Sequence, residues 1–174
     1  KKVISVEPVS STMSTFKANI DRAEAKNITP LQNIASNITG ELVRIGLHDK
    51  TGHNSVYKET EHFEEIPTIS FKDLLKMFET DDIFLKMDCE GGEYDILLNV
   101  DPKDMRRIAE ITIEVHGDLH PKHKGVKLIQ NRLSELGYKQ VKFHEVFGWD
   151  GVDDYGNRIN LRSLNITQES WVRV

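Results

Sequence analysis

Short runs of alternating apolar and polar residues along this chain predict β-strands, because successive side chains of a strand point to opposite faces of its sheet. The first run, VISVEP at residues 3–8, ends in an acid and a proline, which is typical of a strand that stops sharply. Residues 53–60 have a weaker pattern that fits a short edge strand. Further strands are predicted at residues 41–49, 83–88, 109–117, 138–149 and 169–174.

Between these runs, apolar residues at helical spacing predict helices that turn one face to a core. Ser70, with Asp73 three residues later, nearly matches a capping box and predicts the start of a helix. Asp101 and Pro102 predict another start, and Gly137 predicts a helix end. The four apolar stripes are Met13, Phe16, Ile20 and Ala23, with Ser and Thr residues upstream as caps; Phe71, Leu74, Leu75 and Phe78; Met105, Ile108 and Ala109; and Val126, Ile129, Leu133 and Leu136.

The alternation of strands with helices predicts an α/β fold, because a helix that connects two parallel strands packs on the face of their sheet. We expect a single domain over residues 1–174, with a mostly parallel sheet and an antiparallel final pair of strands. A chain of 174 residues is long enough to bury most of the surface that its unfolded form exposes. Residues 150–168, between the last two strands, are polar and rich in turn residues and predict a linker.

Acidic residues stand at the C-terminal ends of successive predicted strands, and this is the edge at which α/β sheets bind their ligands. The clearest case is FLKMDCEGGEYDILL, residues 84–98, in which an apolar strand runs directly into several acids around a glycine pair. A strand that only packs is expected to end in turn residues instead. The residues predicted to share this edge are Glu7, Asp49, Asp88, Glu90, Glu114 and His116.

The composition favours a small neutral or cationic ligand over a nucleic acid. The formal net charge is −5, and basic and acidic residues are interspersed, so no basic stripe for phosphate backbones is present. Cys89 is the only cysteine, and no apolar run approaches the roughly 18 residues that a membrane helix needs. Acids on both sides of Cys89 predict a raised thiol pKa, so we interpret it as a packing residue. We therefore expect a cytoplasmic protein without a membrane or nucleic-acid partner.

The acids of residues 84–98 have two interpretations. Asp88 follows a strand directly and is interpreted as functional. Glu93 and Asp95 fit the acid-rich first turn of a helix, where negative charge favours the helix dipole. Gly91 and Gly92 either let the backbone pass close to a ligand or form a plain strand-to-helix turn.

Two acids in the first half of the chain are candidates for cofactor binding. Glu7 ends a strand that is followed by a helix, where nucleotide-binding folds place the acid that accepts hydrogen bonds from ribose hydroxyls. Asp49 also ends a predicted strand, but the turn-forming sequence after it weakens its case.

His116 is a candidate proton acceptor, because an imidazole titrates near neutral pH and is commonly used as a base. Glu114 and His116 occupy alternate positions of one strand and point the same way. Together with Asp88 they offer ligands for a divalent metal ion, which we treat as a less favoured alternative. His120 and His123 match no zinc spacing and fit a surface loop better.

The chain resembles the FkbM-type methyltransferase family in five segments that follow in the same order: VISVEP, GLHDKTG, TISFKDLL, FLKMDCEGGEYDILL and ITIEVH. The resemblance covers residues 3–117 and is most specific at 84–98 and 111–116. It implies a class I, Rossmann-like methyltransferase fold and S-adenosylmethionine as the cofactor. It also implies O-methylation, with a hydroxyl of a sugar, a glycan or another small molecule as the acceptor.

The resemblance further implies roles for individual residues. Glu7 would bind the ribose hydroxyls of the cofactor, with Pro8 beside it, and Asp49 with its neighbour His48 would lie near the adenine. Asp88 would contact both the cofactor and the acceptor. The residues implied to border the reaction itself are Lys86, Asp88, Glu90, Glu114 and His116.

Class I methyltransferases carry an acid-x-Gly-x-Gly-like loop after their central strand, and this sequence contains no Gly-x-Gly. We expect the central strand and its glycine loop to precede Lys1, because a doubly wound sheet without its central strand exposes unpaired edges. A degenerate member that has lost its cofactor loop is the alternative. Two other functions remain open, a non-catalytic binding protein derived from this fold and a metal-dependent hydrolase that uses Asp88, Glu90, Glu114 and His116.

Overall fold

The structure is a computed structural model, and it describes residues 1–47, 54–57, 60–145, 150–152, 158–160 and 166–174. The chain divides into two compact units, Lys1–Thr80 and Asp81–Val174. Each unit combines strands with helices, so the chain is a mixed α/β protein, as predicted. In the described part of the chain, no helix has both the length and the apolar character needed to cross a membrane.

The first unit contains two small sheets. Strands β1 (Val3–Val6) and β2 (Ile28–Leu31) form a parallel pair. Strand β5 (Phe63–Ser70) lies between β3 (Ile34–Ser36), to which it is parallel, and β4 (Leu42–Gly46), to which it is antiparallel. Strands β2, β3 and β5 are absent from the predicted elements, because Pro30 and Pro67 interrupt the patterns of β2 and β5 and because β3 is only three residues long. Within predicted strand 53–60, the described residues form a single bridge from Ser55 to Gly46. The elements are β1 (Val3–Val6), α1 (Ser10–Arg22), β2 (Ile28–Leu31), β3 (Ile34–Ser36), β4 (Leu42–Gly46), β5 (Phe63–Ser70) and α2 (Phe71–Lys76).

Helix α1 begins without the serine or threonine cap that the sequence predicts. Its N-cap residue is Val9, which provides no side-chain cap. The carboxylate of Glu7 accepts a hydrogen bond from the Val9 N–H at 2.8 Å, and that of Glu64 accepts one from the Ser10 N–H at 2.9 Å. These acids satisfy N–H groups at the helix start, where negative charge is favourable, so a hydroxyl cap is not required. In the apolar stripe, Met13 is buried, Phe16 and Ile20 are partly buried, and Ala23 is exposed.

Helix α2 begins as the sequence predicts. The Ser70 hydroxyl accepts a hydrogen bond from the backbone N–H of Asp73 at 3.1 Å, which is the first half of a capping box. Phe71 and Leu75 are buried, and the helix ends before Phe78. The predicted capping residue and the core face of this helix are therefore confirmed.

The second unit is built on a four-stranded sheet, whose strands in order are β6 (Ile83–Met87), β7 (Ile108–His116), β11 (Ile166–Arg173) and β8 (Tyr138–Glu145). Strands β6 and β7 are parallel, and β11 is antiparallel to both β7 and β8. The antiparallel pairing of the last two long strands confirms that prediction. The elements are β6 (Ile83–Met87), α3 (Glu93–Asn99), α4 (Pro102–Met105), β7 (Ile108–His116), α5 (Lys127–Glu135), β8 (Tyr138–Glu145), β9 (Asp150–Val152), β10 (Arg158–Asn160) and β11 (Ile166–Arg173).

The prediction of a mostly parallel sheet is wrong for the described strands. Three of their seven pairings are parallel and four are antiparallel. The reason is that β4 and β11 each run antiparallel to the strands beside them. Only parallel neighbours need a crossover connection such as a helix, so the helices of the sequence do not require these pairings to be parallel. The predicted linker also contains structure, because β9 and β10 pair as an antiparallel ribbon within it.

Strand β7 has the alternation that its sequence predicts. Ile111, Ile113 and Val115 are fully buried on one face. Glu114 and His116 lie at the intervening positions and therefore share the opposite face. A strand with this pattern holds the core on one side and presents polar groups on the other.

The helix predicted from Asp101 onwards is shorter than expected. Its N-cap is confirmed, because the Asp101 side chain accepts a hydrogen bond from the Lys103 N–H at 2.9 Å. The helix nevertheless ends at Met105, and Ile108–Ala109 already belong to β7. The buried Tyr138 hydroxyl lies 2.7 Å from the Met105 carbonyl oxygen and 2.9 Å from that of Ile108, and this contact stabilises the early turn into the strand.

Helix α5 agrees closely with its sequence pattern. Ile129 and Leu133 are fully buried, as the apolar stripe predicts. Val126 is the N-cap residue and Leu136 the C-cap residue, so both lie just outside the helix. Gly137 follows with φ of +87°, a left-handed conformation that favours glycine and ends the helix as predicted.

Candidate active site

The C-terminal ends of β6 and β7 meet at one edge of the sheet, because the two strands are adjacent and parallel. Asp88 follows the last residue of β6, and Glu114 and His116 lie at the end of β7. Glu90 lies in the loop that leaves β6. The sequence prediction that these residues lie at one edge is confirmed for these four.

Three carboxylates surround one nitrogen of His116. The distances from its Nε2 are 3.7 Å to Glu90 Oε1, 3.8 Å to Glu114 Oε1 and 4.0 Å to Asp88 Oδ1. The imidazole is only 2% exposed, whereas the three acids are partly exposed. These separations are longer than a hydrogen bond, so Nε2 faces the acids without a close contact to any of them. The arrangement creates a region of negative potential around a buried imidazole.

Lys86 supplies the positive side chain of this edge. Its Nζ lies 3.5 Å from Asp88 Oδ2, and both side chains are exposed to solvent. An exposed pair of this kind contributes about 0–1 kcal/mol to stability, so it adds little to the stability of this edge.

The loop after β6 is a tight turn that depends on its glycines. Glu90 has φ of +48° and Gly91 has φ of +103°, so two consecutive residues adopt left-handed conformations. The Gly92 N–H donates to the Cys89 carbonyl oxygen at 3.0 Å, and a Cβ on Gly92 would lie 3.2 Å from the Cys89 Cβ. The strand-to-helix turn is therefore sufficient to explain the glycine pair. Burial of the Cys89 thiol and the nearby Glu93 charge raise the pKa of Cys89 to about 12, which agrees with a packing role.

Glu93 is the residue of this site that the sequence interpretation missed. It lies in the first turn of α3, as predicted, but its side chain is 0% exposed and makes specific contacts instead of only favouring the helix dipole. Its carboxylate accepts hydrogen bonds from the backbone N–H groups of Cys89 and Gly91, and it lies 3.1 Å from His116 Nδ1. The spacing of Glu93 from the buried Ile96 and Leu97 is the sequence signal that places it on the core side of α3.

The surroundings of His116 act on its pKa in opposite directions. Burial of the ring lowers the pKa. The hydrogen bond to Glu93 and the negative charges of Glu93, Glu90 and Asp88 raise it, and together they outweigh burial, so the pKa of His116 lies above its usual value of 6.5. This imidazole is a stronger base than a free histidine.

Glu114 also has a perturbed pKa. Its partial burial and the charge of Asp88 raise the pKa, while His116 and Lys86 act in the opposite direction. A carboxylate whose pKa is raised by burial and by a neighbouring charge is typical of functional sites.

His120 and His123 form a separate group from the cluster around His116. His120 Nδ1 accepts hydrogen bonds from the backbone N–H groups of Lys122 at 3.1 Å and His123 at 3.0 Å, and its Nε2 lies 3.3 Å from Asp95. Its ring and that of His123 pack against Tyr94. These contacts organise the loop after β7, so neither histidine extends the candidate metal set.

The alternative metal site has a geometric basis. One ligand atom each from Asp88, Glu114 and His116 lies within 4.8 Å of the others. Such spacing suits a shared divalent ion, but acidic clusters without an ion have the same spacing. A metal ion is therefore not needed to explain the cluster, because bound protons and the nearby Lys86 also compensate the charge of the acids.

Two of the predicted cofactor-binding residues of the first unit, Glu7 and Pro8, directly follow β1. Glu7 Oε1 accepts the Val9 N–H at 2.8 Å, and no described residue donates to its Oε2. Partial burial raises the pKa of Glu7, the hydrogen bond from Val9 lowers it, and the charge of Glu64 raises it, with a net increase. Pro8 continues the chain into α1. His48 and Asp49 lie outside the described residues.

Residues 1–146 match the family model of the methyltransferase FkbM domain. The match includes all of the first unit and, in the second, the loop after β6 and the end of β7. No curated protein and no solved structure matches the chain.

Proposed function

This chain belongs to the FkbM methyltransferase family, and we propose that it transfers a methyl group from S-adenosylmethionine to a hydroxyl of a sugar, a glycan or another small molecule. The observation that carries this proposal is the cluster at the C-terminal edge of β6 and β7. There the buried His116 Nε2 faces Asp88, Glu90 and Glu114 at 3.7 to 4.0 Å.

The chemistry requires a base, because an alcohol is a poor nucleophile until its proton is being accepted. Bound S-adenosylmethionine would supply an activated methyl group; as the acceptor oxygen bonds to that methyl carbon and the sulfur leaves, the hydroxyl proton would pass to the base. His116 fits the base in its neutral form, because its Nε2 faces the partly exposed end of the cluster and its raised pKa makes it a better acceptor. Alignment of oxygen, carbon and sulfur supplies most of the remaining acceleration.

The acids have a second role in this proposal. S-adenosylmethionine carries a positive sulfonium, and carboxylates close to it favour the charged cofactor electrostatically. Asp88 and Glu90 are proposed to border the methyl group and the acceptor, with Lys86 beside Asp88 and with Glu114 on the acceptor side. In the first unit, Glu7 is proposed to accept hydrogen bonds from the ribose hydroxyls, next to Pro8.

Three further expectations are parts of the proposal. The elements are expected to belong to a class I, Rossmann-like arrangement, since the family match spans 146 residues. His48 and Asp49 are expected near the adenine. The acidic net charge and the single cysteine support a cytoplasmic enzyme whose acceptor is a small molecule or a carbohydrate rather than a nucleic acid.

The test is a calorimetric titration of S-adenosylhomocysteine, the product form of the cofactor, into the purified protein in buffer that contains EDTA. Saturable binding at one molecule per chain is the expected result, and EDTA should not change it. A folded protein that gives no binding heat overturns the proposal and favours a non-catalytic binding protein. A hydrolase would instead lose its activity with the chelator and ignore the methyl donor.

A further inference from the structure

We propose that Glu93 is the positioning residue of this site: its buried carboxylate holds the His116 ring with Nε2 as the proton acceptor, and it holds the loop that carries Asp88 and Glu90. The catalytic consequence rests on the proposed methyltransferase function. The positioning itself concerns only contacts within the second unit.

Glu93 has three hydrogen-bonding neighbours and no exposure to solvent. Its Oε1 accepts the Cys89 N–H at 2.8 Å and lies 3.1 Å from His116 Nδ1, and its Oε2 accepts the Gly91 N–H at 3.0 Å. Each contact is within ordinary hydrogen-bond distance. Both oxygens are therefore occupied, and the side chain cannot turn without losing at least one contact.

These contacts determine the tautomer of His116. An ionised carboxylate only accepts hydrogen bonds, so the neutral ring must carry its proton on Nδ1 to bond with Glu93. Nε2 then holds the free electron pair, and it is the nitrogen that faces Asp88, Glu90 and Glu114. A hydrogen bond to the first ring nitrogen sets the chemistry of the second, as in many sites where a carboxylate orients a histidine.

The same carboxylate holds an unfavourable backbone conformation. Glu90 has φ of +48°, in the left-handed region that residues with a Cβ rarely adopt. The Glu93 carboxylate accepts hydrogen bonds from the backbone N–H groups of Cys89 and Gly91, the residues on each side of Glu90. Glu93 thus compensates the conformation that directs Glu90 toward the His116 imidazole.

The experiment is a long-range ¹H–¹⁵N NMR spectrum of the histidine side chains in the full chain, recorded at a pH where His116 is neutral. The His116→Gln variant identifies the resonances of this residue among the seven histidines. Wild-type protein should show a protonated Nδ1 and an unprotonated Nε2. Glu93→Met, which keeps the length of the side chain but removes the acceptor, should lose this pattern and show the reverse tautomer or a mixture.

The matched control is Glu169→Gln, because Glu169 is another buried glutamate of the same unit that accepts several hydrogen bonds and has no bond to His116. It should leave the His116 tautomer unchanged. A wild-type His116 with its proton on Nε2 overturns the proposal, even if Glu93→Met does not fold. An unchanged tautomer in folded Glu93→Met overturns it as well.

Adding S-adenosylhomocysteine to the same wild-type sample separates this proposal from the proposed function. A fixed Nδ1–H tautomer with no binding of S-adenosylhomocysteine refutes the methyltransferase function and supports the positioning by Glu93. If S-adenosylhomocysteine binds and Nε2 carries the proton, the result supports the methyltransferase function and refutes the positioning by Glu93.

Discussion

Replacing Glu169 by methionine or by glutamine tests how much one buried carboxylate stabilises the sheet that carries the candidate site. Glu169 lies on β11, opposite Ile113 of β7, and is 1% exposed. Its Oε1 accepts hydrogen bonds from Gln130 at 2.7 Å and Thr167 at 2.8 Å. Its Oε2 accepts hydrogen bonds from the side chains of Gln140 and Trp171, both at 2.9 Å.

The two substitutions should differ strongly in their effect. Glu169→Met leaves the buried donors of Thr167 and Trp171 without an acceptor, and at about 1–3 kcal/mol each we expect a loss of about 2–6 kcal/mol. Glu169→Gln keeps one oxygen, which should face Trp171 because an indole only donates. Its amide N–H can donate to the Thr167 hydroxyl, which also accepts, so the expected loss is below about 1.5 kcal/mol.

The assay is urea denaturation followed by tryptophan fluorescence. Both tryptophans of the sequence, Trp149 and Trp171, fall within the second unit, so the signal reports on that unit. Glu135→Gln, at an exposed glutamate of α5, is the matched surface control and should change stability by less than about 0.5 kcal/mol. If Glu169→Gln is as destabilising as Glu169→Met, or if Glu169→Met has no effect, the account of this hydrogen-bond network is wrong.

Two further predictions concern the candidate site, and a third concerns His120 in the loop after β7. Glu7→Ala should weaken S-adenosylhomocysteine binding about 10- to 100-fold, because the ribose hydroxyls lose a charged acceptor; unchanged affinity by calorimetry removes Glu7 from the cofactor site. His116→Ala should lower methyl transfer to an acceptor found by screening about 10²- to 10⁴-fold with cofactor affinity preserved, and the wild-type rate should rise with pH through the raised pKa of His116, since only the neutral ring accepts a proton. A pH–rate profile that is the same with and without His116 excludes it as the base. For His120, burial lowers the pKa while Asp95 opposes this, so its contribution to stability is present above pH about 6.5 and is lost as the pH falls toward the folded-state pKa. Stability curves of wild type and His120→Gln should therefore converge in acid, and parallel curves contradict the assignment.

The local signals in the sequence were sufficient for several elements. Ser70 with Asp73 predicted the start of α2, and Gly137 predicted the end of α5, because caps and left-handed glycines act within a few residues of the chain. The alternation in β7 likewise predicted that Glu114 and His116 share a face. Strand β5 escaped prediction because Pro67 and two glutamates obscure its alternation, and its pairing partners are distant in the sequence.

The candidate site also has residues that the sequence predicted and one residue, Glu93, that it did not. Strand ends bearing acids predicted that Asp88, Glu90, Glu114 and His116 lie at one edge, since parallel strands bring their C-terminal ends together. Glu93 was assigned to a solvated turn, because an acid at a helix start is usually stabilised by the dipole and by water. Its spacing from Ile96 and Leu97 indicates the core side of α3, but its hydrogen bonds with the Cys89 and Gly91 N–H groups and with His116 became visible only in the structure.

The sequence by itself determined the family, the acids at the strand ends, the starts of α2 and α4 and the end of α5, since these depend on residue type and short spacing. Only the tertiary structure decided that β11 lies between β7 and β8, and that one nitrogen of His116 faces Glu93 and the other faces three acids. The physical reason is that side-chain periodicity fixes which face a residue occupies, whereas strand order and hydrogen-bond partners depend on contacts between segments far apart in the chain.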